Sequence, residues 1–103
     1  MAAYGQPVSS RVQSQAVTCT ATAWTALTGG ATALISRTGV EIYNKGAAAS
    51  VKLYLSYNNT ISVKYCKPVE TGAYHFEPCG SQLTLYGRTQ AATARVIVTE
   101  YGN

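Results

Sequence analysis

The chain has 103 residues, a net charge of +4 at pH 7 and only 12% charged residues, which is about half the ordinary share. This length corresponds to one domain. No run of three basic residues occurs, so we expect no direct binding of nucleic acid. There is no Asp and there are only four Glu, which leaves few of the clustered oxygen ligands that Mg²⁺ or Ca²⁺ requires.

The N-terminal segment, residues 1–15, is polar and contains Gly5 and Pro7. This composition predicts an extended arm in front of a folded domain that covers residues 16–103. The segment lacks the apolar centre of a secretory signal. No apolar run approaches the roughly 20 residues of a membrane span, so we expect no membrane association.

Alternating apolar and polar residues predict strands in the first half of the chain. The predicted strands cover 16–24, 35–43 and 51–57. Gly39 interrupts the second strand and indicates either a bulge or a close approach of another group to the backbone there. In the third strand, Val51, Leu53, Leu55 and Tyr57 share one face, and Lys52, Tyr54 and Ser56 share the other.

The second half of the chain continues the pattern, with predicted strands over 61–65, 74–76, 82–86 and 93–100. In the strand around His75, Tyr74 and Phe76 are the residues predicted to face inward. Seven or eight short strands separated by turns predict an all-β fold. The most economical arrangement is an antiparallel β-sandwich of the jelly-roll or immunoglobulin-like kind.

The three cysteines, Cys19, Cys66 and Cys79, are widely spaced and include no CxxC pair. This spacing is not typical of a zinc site. Reduced and largely buried thiols are the simplest interpretation. A bridge between Cys66 and Cys79 stays open, because sequence alone does not give the distance between two side chains.

Candidate catalytic groups are few. If Tyr74 and Phe76 face the core, His75 faces solvent, with Glu77 two residues further on the same strand face. Glu70 and Glu77 are the other pair to weigh, as carboxylates for glycoside cleavage, but nothing in their setting supports that role. No nucleophile or nucleotide-binding motif occurs. We therefore predict a protein that is not an enzyme and uses no cofactor.

Eight Tyr and one Trp form a large aromatic share for a chain with so few charges. Tyr supplies contact area at a low entropic cost and keeps a polar tip. Strand alternation predicts that Tyr43 and Tyr54 point outward, whereas Tyr57, Tyr65 and Tyr74 point inward. Together with Trp24, the outward residues suggest a protein interface or a sugar-binding face.

The order of these segments resembles that of small virion proteins of tailed bacteriophages. The resemblance covers residues 16–102 and rests on order and spacing. It includes a Thr/Ala-rich first strand, AVTCTATAWTAL, then SRTGVEIYNKG and SVKLYLSY. TGAYHFEPCGSQLTLYG follows, and the chain closes with ARVIVTEYG. The segment KYCKPVETG departs from the pattern.

The resemblance implies a non-enzymatic β-sandwich on the surface of the phage head. A decoration, or cement, protein of this kind binds the major capsid protein as a homo-oligomer, with trimers favoured, after synthesis in the bacterial cytoplasm. A neck, tail or baseplate accessory protein is the alternative, and a carbohydrate-binding module on the virion surface is a further one. The residues expected to contact partners are Tyr4, Pro7, Val8, Arg11, Lys45, Lys52 and Tyr54.

Overall fold

The computed structural model describes residues 11–47, 50–63 and 66–103. Within them the chain forms two four-stranded antiparallel sheets. The strands are β1 (Arg11–Cys19), β2 (Thr25–Ala26), β3 (Arg37–Gly46), β4 (Leu53–Ser56), β5 (Pro68–Val69), β6 (Tyr74–Glu77), β7 (Tyr86–Thr89) and β8 (Ala94–Gly102). This architecture confirms the predicted all-β sandwich.

Sheet 1 has the strand order β1-β8-β3-β6, and sheet 2 has the order β2-β7-β4-β5. The last strand of the chain, β8, therefore lies between β1 and β3. It pairs with β1 along all nine residues, from Arg11 opposite Gly102 to Cys19 opposite Ala94. Sheet 1 is the longer sheet, and β6 closes it at one edge with only four residues.

The core lies between the sheets and is built by strand alternation. In β3, Val40 and Ile42 are fully buried, which agrees with the outward direction predicted for Tyr43, and in β8 Val96 and Val98 are fully buried. Leu53 of sheet 2 is also fully buried. Burial of each such side chain stabilises the fold by about 1.5–3 kcal/mol, so these alternating residues hold the two sheets together.

Two irregularities shape β3. A register shift between Arg37 and Gly39 places a bulge at this glycine. A Cβ at Gly39 would lie 2.3 Å from the Phe76 ring, so only glycine allows the ring to lie over the strand. The second shift, between Asn44 and Gly46, ends the strand with Gly46 at a φ of +75°, a left-handed conformation that favours glycine.

A buried ion pair fastens the loops at one end of the sandwich. The Arg37 Nη1 atom donates to Glu100 Oε2 at 2.6 Å, and both side chains are almost fully buried. Arg37 also donates to the carbonyl oxygens of Cys79, Gly80 and Leu83. The guanidinium therefore ties the 79–83 loop to β3 and β8.

Several strand boundaries differ from the predictions. Residues 11–15, expected to be part of the arm, belong to β1, whereas residues 20–24 follow that strand as bends and irregular chain. Residues 61–63 form no strand, and Tyr65 lies outside the described residues. The strand expected at 82–86 is observed at Tyr86–Thr89. Pairing explains the first difference, because β1 follows β8 along its full length.

Candidate interaction surface

The outward side of sheet 1 concentrates apolar and aromatic side chains. Because Val40 and Ile42 point into the core, Glu41 and Tyr43 point outward, and the register extends this side across the sheet. Tyr43 lies between Ile97 and Tyr74. We call this side the outer face. Its described members are Val12, Ser14, Ala16, Thr18, Glu41, Tyr43, Tyr74, Phe76, Arg95, Ile97, Thr99 and Tyr101.

The aromatic rings of the outer face contact one another across the strands. The rings of Tyr43 and Tyr74 are stacked with their centroids 4.6 Å apart. Phe76 and Tyr101 are tilted at 6.4 Å, on either side of Gly39 in β3. Such cross-strand pairs hold the rings in fixed positions, so a partner would meet an ordered aromatic surface.

Large apolar side chains on this face remain exposed. Val12 is 57% exposed, Tyr74 67% and Phe76 54%. The charged residues among these members are Glu41, which is half-buried, and the exposed Arg95, and the exposed Lys45 follows Tyr43 on the same side of β3, at the bulge beside Arg95. Ser14 and Thr99 satisfy each other through a hydroxyl hydrogen bond of 3.0 Å. An exposed apolar patch with few charges is typical of a surface that other protein covers.

The predicted direction of β6 is wrong. Tyr74 and Phe76 were expected to face the core, but they lie on the outer face, and His75 and Glu77 lie on the inner side. Tyr57, also expected to face inward, is 43% exposed. Alternation separates two faces of a strand without saying which one is buried. At this edge of the sandwich the inner side lines a cavity.

The cavity on the inner side of β6 has a volume of about 320 Å³ and contains a polar cluster. His75 Nε2 lies 2.7 Å from Glu77 Oε1, and the Tyr57 hydroxyl donates to Glu77 Oε2 at 2.6 Å. The other lining residues are Leu55, Ser56, Lys67, Pro68, Val69 and Leu85. The weak His75–Glu77 pair suggested by the sequence is therefore a direct contact, with a third member that the sequence did not indicate.

The cluster favours an ionised Glu77. The hydrogen bond from Tyr57 and then the one from His75 lower the pKa of the Glu77 carboxyl. Burial and the same hydrogen bond raise the pKa of Tyr57, which stays a neutral donor. Ser56 lines the cavity, but its hydroxyl accepts a hydrogen bond from the Asn58 N–H at 2.8 Å. Glu77 is thus an ionised hydrogen-bond acceptor that the Tyr57 and His75 side chains hold in place.

Among the predicted contact residues, those that the structure describes do not form one site. Tyr4, Pro7 and Val8 lie outside the described residues, and Arg11 begins β1 as an exposed residue. Lys45 is exposed at the other end of sheet 1. Lys52 is exposed beside sheet 2 and lies 4.0 Å from Glu70. Lys52 also lines a second cavity, of about 290 Å³.

Tyr54 differs from the expectation of an exposed outward residue. It is only 8% exposed, lies between Pro68 and Arg88 in the register, and donates its hydroxyl to Gln90 Oε1. Trp24 is half-buried and donates to the Ile61 carbonyl oxygen. Since Tyr43 lies on sheet 1, the structure does not bring the proposed sugar-binding trio together. Glu70 and Glu77 are likewise engaged with different partners.

The three cysteines form no disulfide bond. Cys19, Cys66 and Cys79 are free, and Cys19 and Cys79 are buried. In the ranges 11–47, 50–63 and 66–103 there is no group of three or more side chains that could hold a metal ion. No helix in those ranges is long and apolar enough to cross a membrane.

The sequence missed the outer face, although one signal for it was present. The last strand alternates Arg95, Ile97, Thr99 and Tyr101 against fully buried Val96, Val98 and Glu100, so an apolar pair points away from the core. Compared with family models, with curated proteins and with solved structures, the chain shows no significant match.

Proposed function

We propose that this chain is a structural virion protein that decorates the head of a tailed bacteriophage. It binds the outer surface of the capsid and stabilises contacts between major capsid subunits. The outer face is the observation that supports this proposal most strongly, together with the order of segments that resembles small phage virion proteins. The neck, tail and baseplate are the alternative locations.

The outer face suits this role because it can be buried at little electrostatic cost. Apart from Glu41 and Arg95 the side chains of its named members are apolar, aromatic or hydroxyl-bearing, and the exposed Lys45 lies at one end of the face. Aromatic anchors that are already ordered lose little entropy on binding. Many copies of a modest contact then hold a shell together by avidity.

Basic side chains at other places extend the proposed contact. Arg11, Lys45 and Lys52 are exposed and separate from one another, and they are suited to acidic patches on neighbouring capsid subunits. Tyr4, Pro7 and Val8 of the N-terminal segment stay proposed contacts. The trimer that the resemblance implies stays part of the proposal as well.

Binding to matched expanded heads, and the temperature at which those heads break, test the proposal. Wild-type protein is expected to bind and to raise the disruption temperature. Val12→Glu puts a charge into the outer face and is expected to weaken binding at least tenfold, which is about 1.4 kcal/mol. Leu83→Glu is the matched control, since Leu83 is 52% exposed on the loop between β6 and β7 and is not a member of the outer face. Absence of binding to heads at every stage of maturation would contradict the proposal.

The number of copies of the protein in each virion distinguishes head decoration from a location at the neck, tail or baseplate. A decoration protein is present in hundreds of copies spread over the head, whereas a neck or tail component forms one ring. Electron microscopy of intact virions, with the protein labelled, gives both the location and the count. A single ring at the neck would replace decoration by the accessory role.

A carbohydrate-binding module is the second candidate function. The stack of the exposed Tyr74 on the half-buried Tyr43 is the observation that favours it, since flat aromatic rings with polar tips suit sugar rings. Binding to a panel of host polysaccharides tests it, with Tyr74→Ser expected to abolish any signal. A panel without binding removes this candidate and leaves head binding untouched.

A further inference from the structure

Strand β6 is an edge strand of sheet 1, and within the described part of the chain no strand pairs with its outer edge. The Asn44 N–H donates to the Ala73 carbonyl oxygen at 3.1 Å, which fixes the ladder between β3 and β6. In an antiparallel ladder, hydrogen-bonded residues alternate with residues whose N–H and C=O point the other way. Ala73, His75 and Glu77 therefore bond to β3, and Tyr74 and Phe76 direct their backbone groups to the open edge.

Gly72 and Pro78 limit the stretch of this edge that can form backbone hydrogen bonds with another strand. Pro78 follows Glu77 and occupies the next outward position, where it has no N–H to offer. On the other side, Gly72 turns the chain with a φ of +86°, and its own N–H already donates to the Asn44 carbonyl oxygen at 2.7 Å. The edge between Gly72 and Pro78 thus offers two N–H donors and two C=O acceptors, from Tyr74 and Phe76.

We propose that two copies of this chain pair through the free edges of their β6 strands, antiparallel about a two-fold axis. His75 then lies opposite His75 of the partner subunit, and Tyr74 lies opposite Phe76 of the partner subunit. In this register both ends of the contact are hydrogen-bonded pairs. All four free groups of each copy are used, which gives four backbone hydrogen bonds across the axis.

Other registers satisfy fewer groups. A shift that places Phe76 opposite Phe76 of the partner subunit sets Tyr74 against Pro78, which lacks the N–H. A shift that places Tyr74 opposite Tyr74 of the partner subunit sets Phe76 against Gly72, whose N–H is occupied. Self-complementarity of this kind is what a closed two-fold contact requires, so the edge fits a second copy better than an arbitrary strand.

The side chains agree with the same arrangement. On the outer side, each Tyr74 faces a Phe76 of the partner subunit, which extends the Tyr43–Tyr74 stack across the axis. No Lys or Arg lies between residues 73 and 77, although lysine is a common device for protecting an exposed edge. On the inner side, each His75 contacts its own Glu77, so that carboxylate is already paired.

The contact is short, so its affinity is modest. Two residues and two aromatic rings per copy place the interface below roughly 1,200 Å², in the range of weak and transient association. Dimers are therefore expected only at high protein concentration, with a dissociation constant of about 10 to 100 µM. This inference does not depend on the proposed function, and a two-fold contact differs from the three-fold assembly that the resemblance implies.

Sedimentation of the full chain over a range of concentrations tests the inference. The mass is expected to rise from 10.9 kDa toward twice that value. Tyr74→Pro removes one outward N–H from each copy, and two of the four bonds, while sparing the N–H groups that bond to β3. Tyr74→Ser is the matched control, because it removes the same ring and keeps the N–H.

Tyr74→Pro is expected to weaken the dimer at least tenfold more than Tyr74→Ser. A chain that stays monomeric at every concentration overturns the inference, and so does a dimer equally stable in both variants, or a trimer that neither variant affects. If Tyr74→Pro does not fold, hydrogen exchange of the wild type gives the answer. The Tyr74 and Phe76 amides should gain protection as concentration rises, and fast exchange at all concentrations contradicts the pairing.

Discussion

At the scale of single residues, the Arg37–Glu100 pair decides the geometry of one end of the molecule. Glu100 accepts hydrogen bonds from the N–H groups of Gly29 and Leu34 and from the Gln13 side chain, in addition to Arg37. A buried ion pair is weak evidence for stability, since two charges must lose their water. Its clearer consequence is specificity, because two loops and strand β1 share one pair of charges.

Removing one charge of the pair is expected to lower the free energy of unfolding substantially. Glu100→Gln leaves the Arg37 guanidinium buried without a counter-charge, which destabilises the fold by about 3–5 kcal/mol. Urea denaturation followed by circular dichroism measures the change. The exposed pair Lys52–Glu70 is the control, and Lys52→Gln should change the free energy of unfolding by less than about 0.5 kcal/mol. A loss below about 1 kcal/mol for Glu100→Gln would contradict a structural role for the pair.

The same carboxyl predicts how stability depends on pH. Burial by itself raises the pKa of Glu100, but the hydrogen bonds from Gln13, Gly29, Arg37 and Leu34 together lower it below the ordinary value of 4.5. The unfolded state then binds the proton more readily, so the stabilisation is present above pH 4.5 and is lost as pH falls through the folded-state pKa. Glu100→Gln should lose less stability than wild type between pH 5 and pH 2. Parallel curves for the two proteins would contradict this assignment.

At the scale of elements, Asn44 joins the two sheets. It lies on β3, yet its Nδ2 atom donates to the carbonyl oxygens of Val51 and Val69, at 2.7 and 2.8 Å. Its Oδ1 atom accepts the Gly46 N–H at 2.9 Å. The end of β3, the approach to β4 and strand β5 are therefore held by one buried amide, and the chain crosses here from sheet 1 to sheet 2.

Asn44→Leu is expected to destabilise the fold by about 2–4 kcal/mol, because the Val69 carbonyl oxygen and the Gly46 N–H lose the Asn44 amide, and the Val51 carbonyl oxygen keeps only the Thr71 hydroxyl as a side-chain partner. The loss is measured by urea denaturation. Asn58→Leu is a control in an exposed turn, where the lost bonds to Thr60 can be replaced by water. Equal effects of the two substitutions would show that the bonds to Val51 and Val69 contribute little.

The sequence predicted those features of the strands that depend on local geometry. Strand number, fold class, the irregularity at Gly39 and the buried side of β3 followed from alternation and glycine positions, which report local geometry. The direction of β6 and the extent of β1 did not, because each depends on a partner distant in the chain. The outer face is missed for the same reason, since its members come from four strands that only the register brings together.

At the scale of the whole molecule, the reactivity of the buried cysteine thiols measures how often the whole fold opens to solvent. Cys19 and Cys79 are buried in the core, and burial raises the pKa of the Cys19 thiol to about 12. Cys66 is half-buried outside the core cluster. Because the thiolate is the reactive form, solvent access and pKa together predict one accessible thiol in the folded protein.

A disulfide reagent is therefore expected to modify one thiol per chain quickly under native conditions and three in urea. The slow modification of Cys19 should follow the rate or extent of unfolding, and Glu100→Gln should accelerate it in proportion to the lost stability. Mass spectrometry of the modified peptides identifies each site. Rapid native labelling of Cys19, or slow labelling of Cys66, would contradict the burial of these side chains.

The central place of β8 in sheet 1 has a consequence for the order in which the chain can fold during synthesis. Strands β1 and β3 are both made before β8, yet each has β8 as a neighbour and neither pairs with the other. Until β8 is made, β1 has no partner strand in sheet 1 and β3 has only β6, among the strands that the structure describes. Pairing of β1 with β8 joins residues 75 to 91 positions apart, from Cys19 opposite Ala94 to Arg11 opposite Gly102, which is the kind of contact that slows folding. The nascent protein is therefore exposed to aggregation for longest just before its final strand appears.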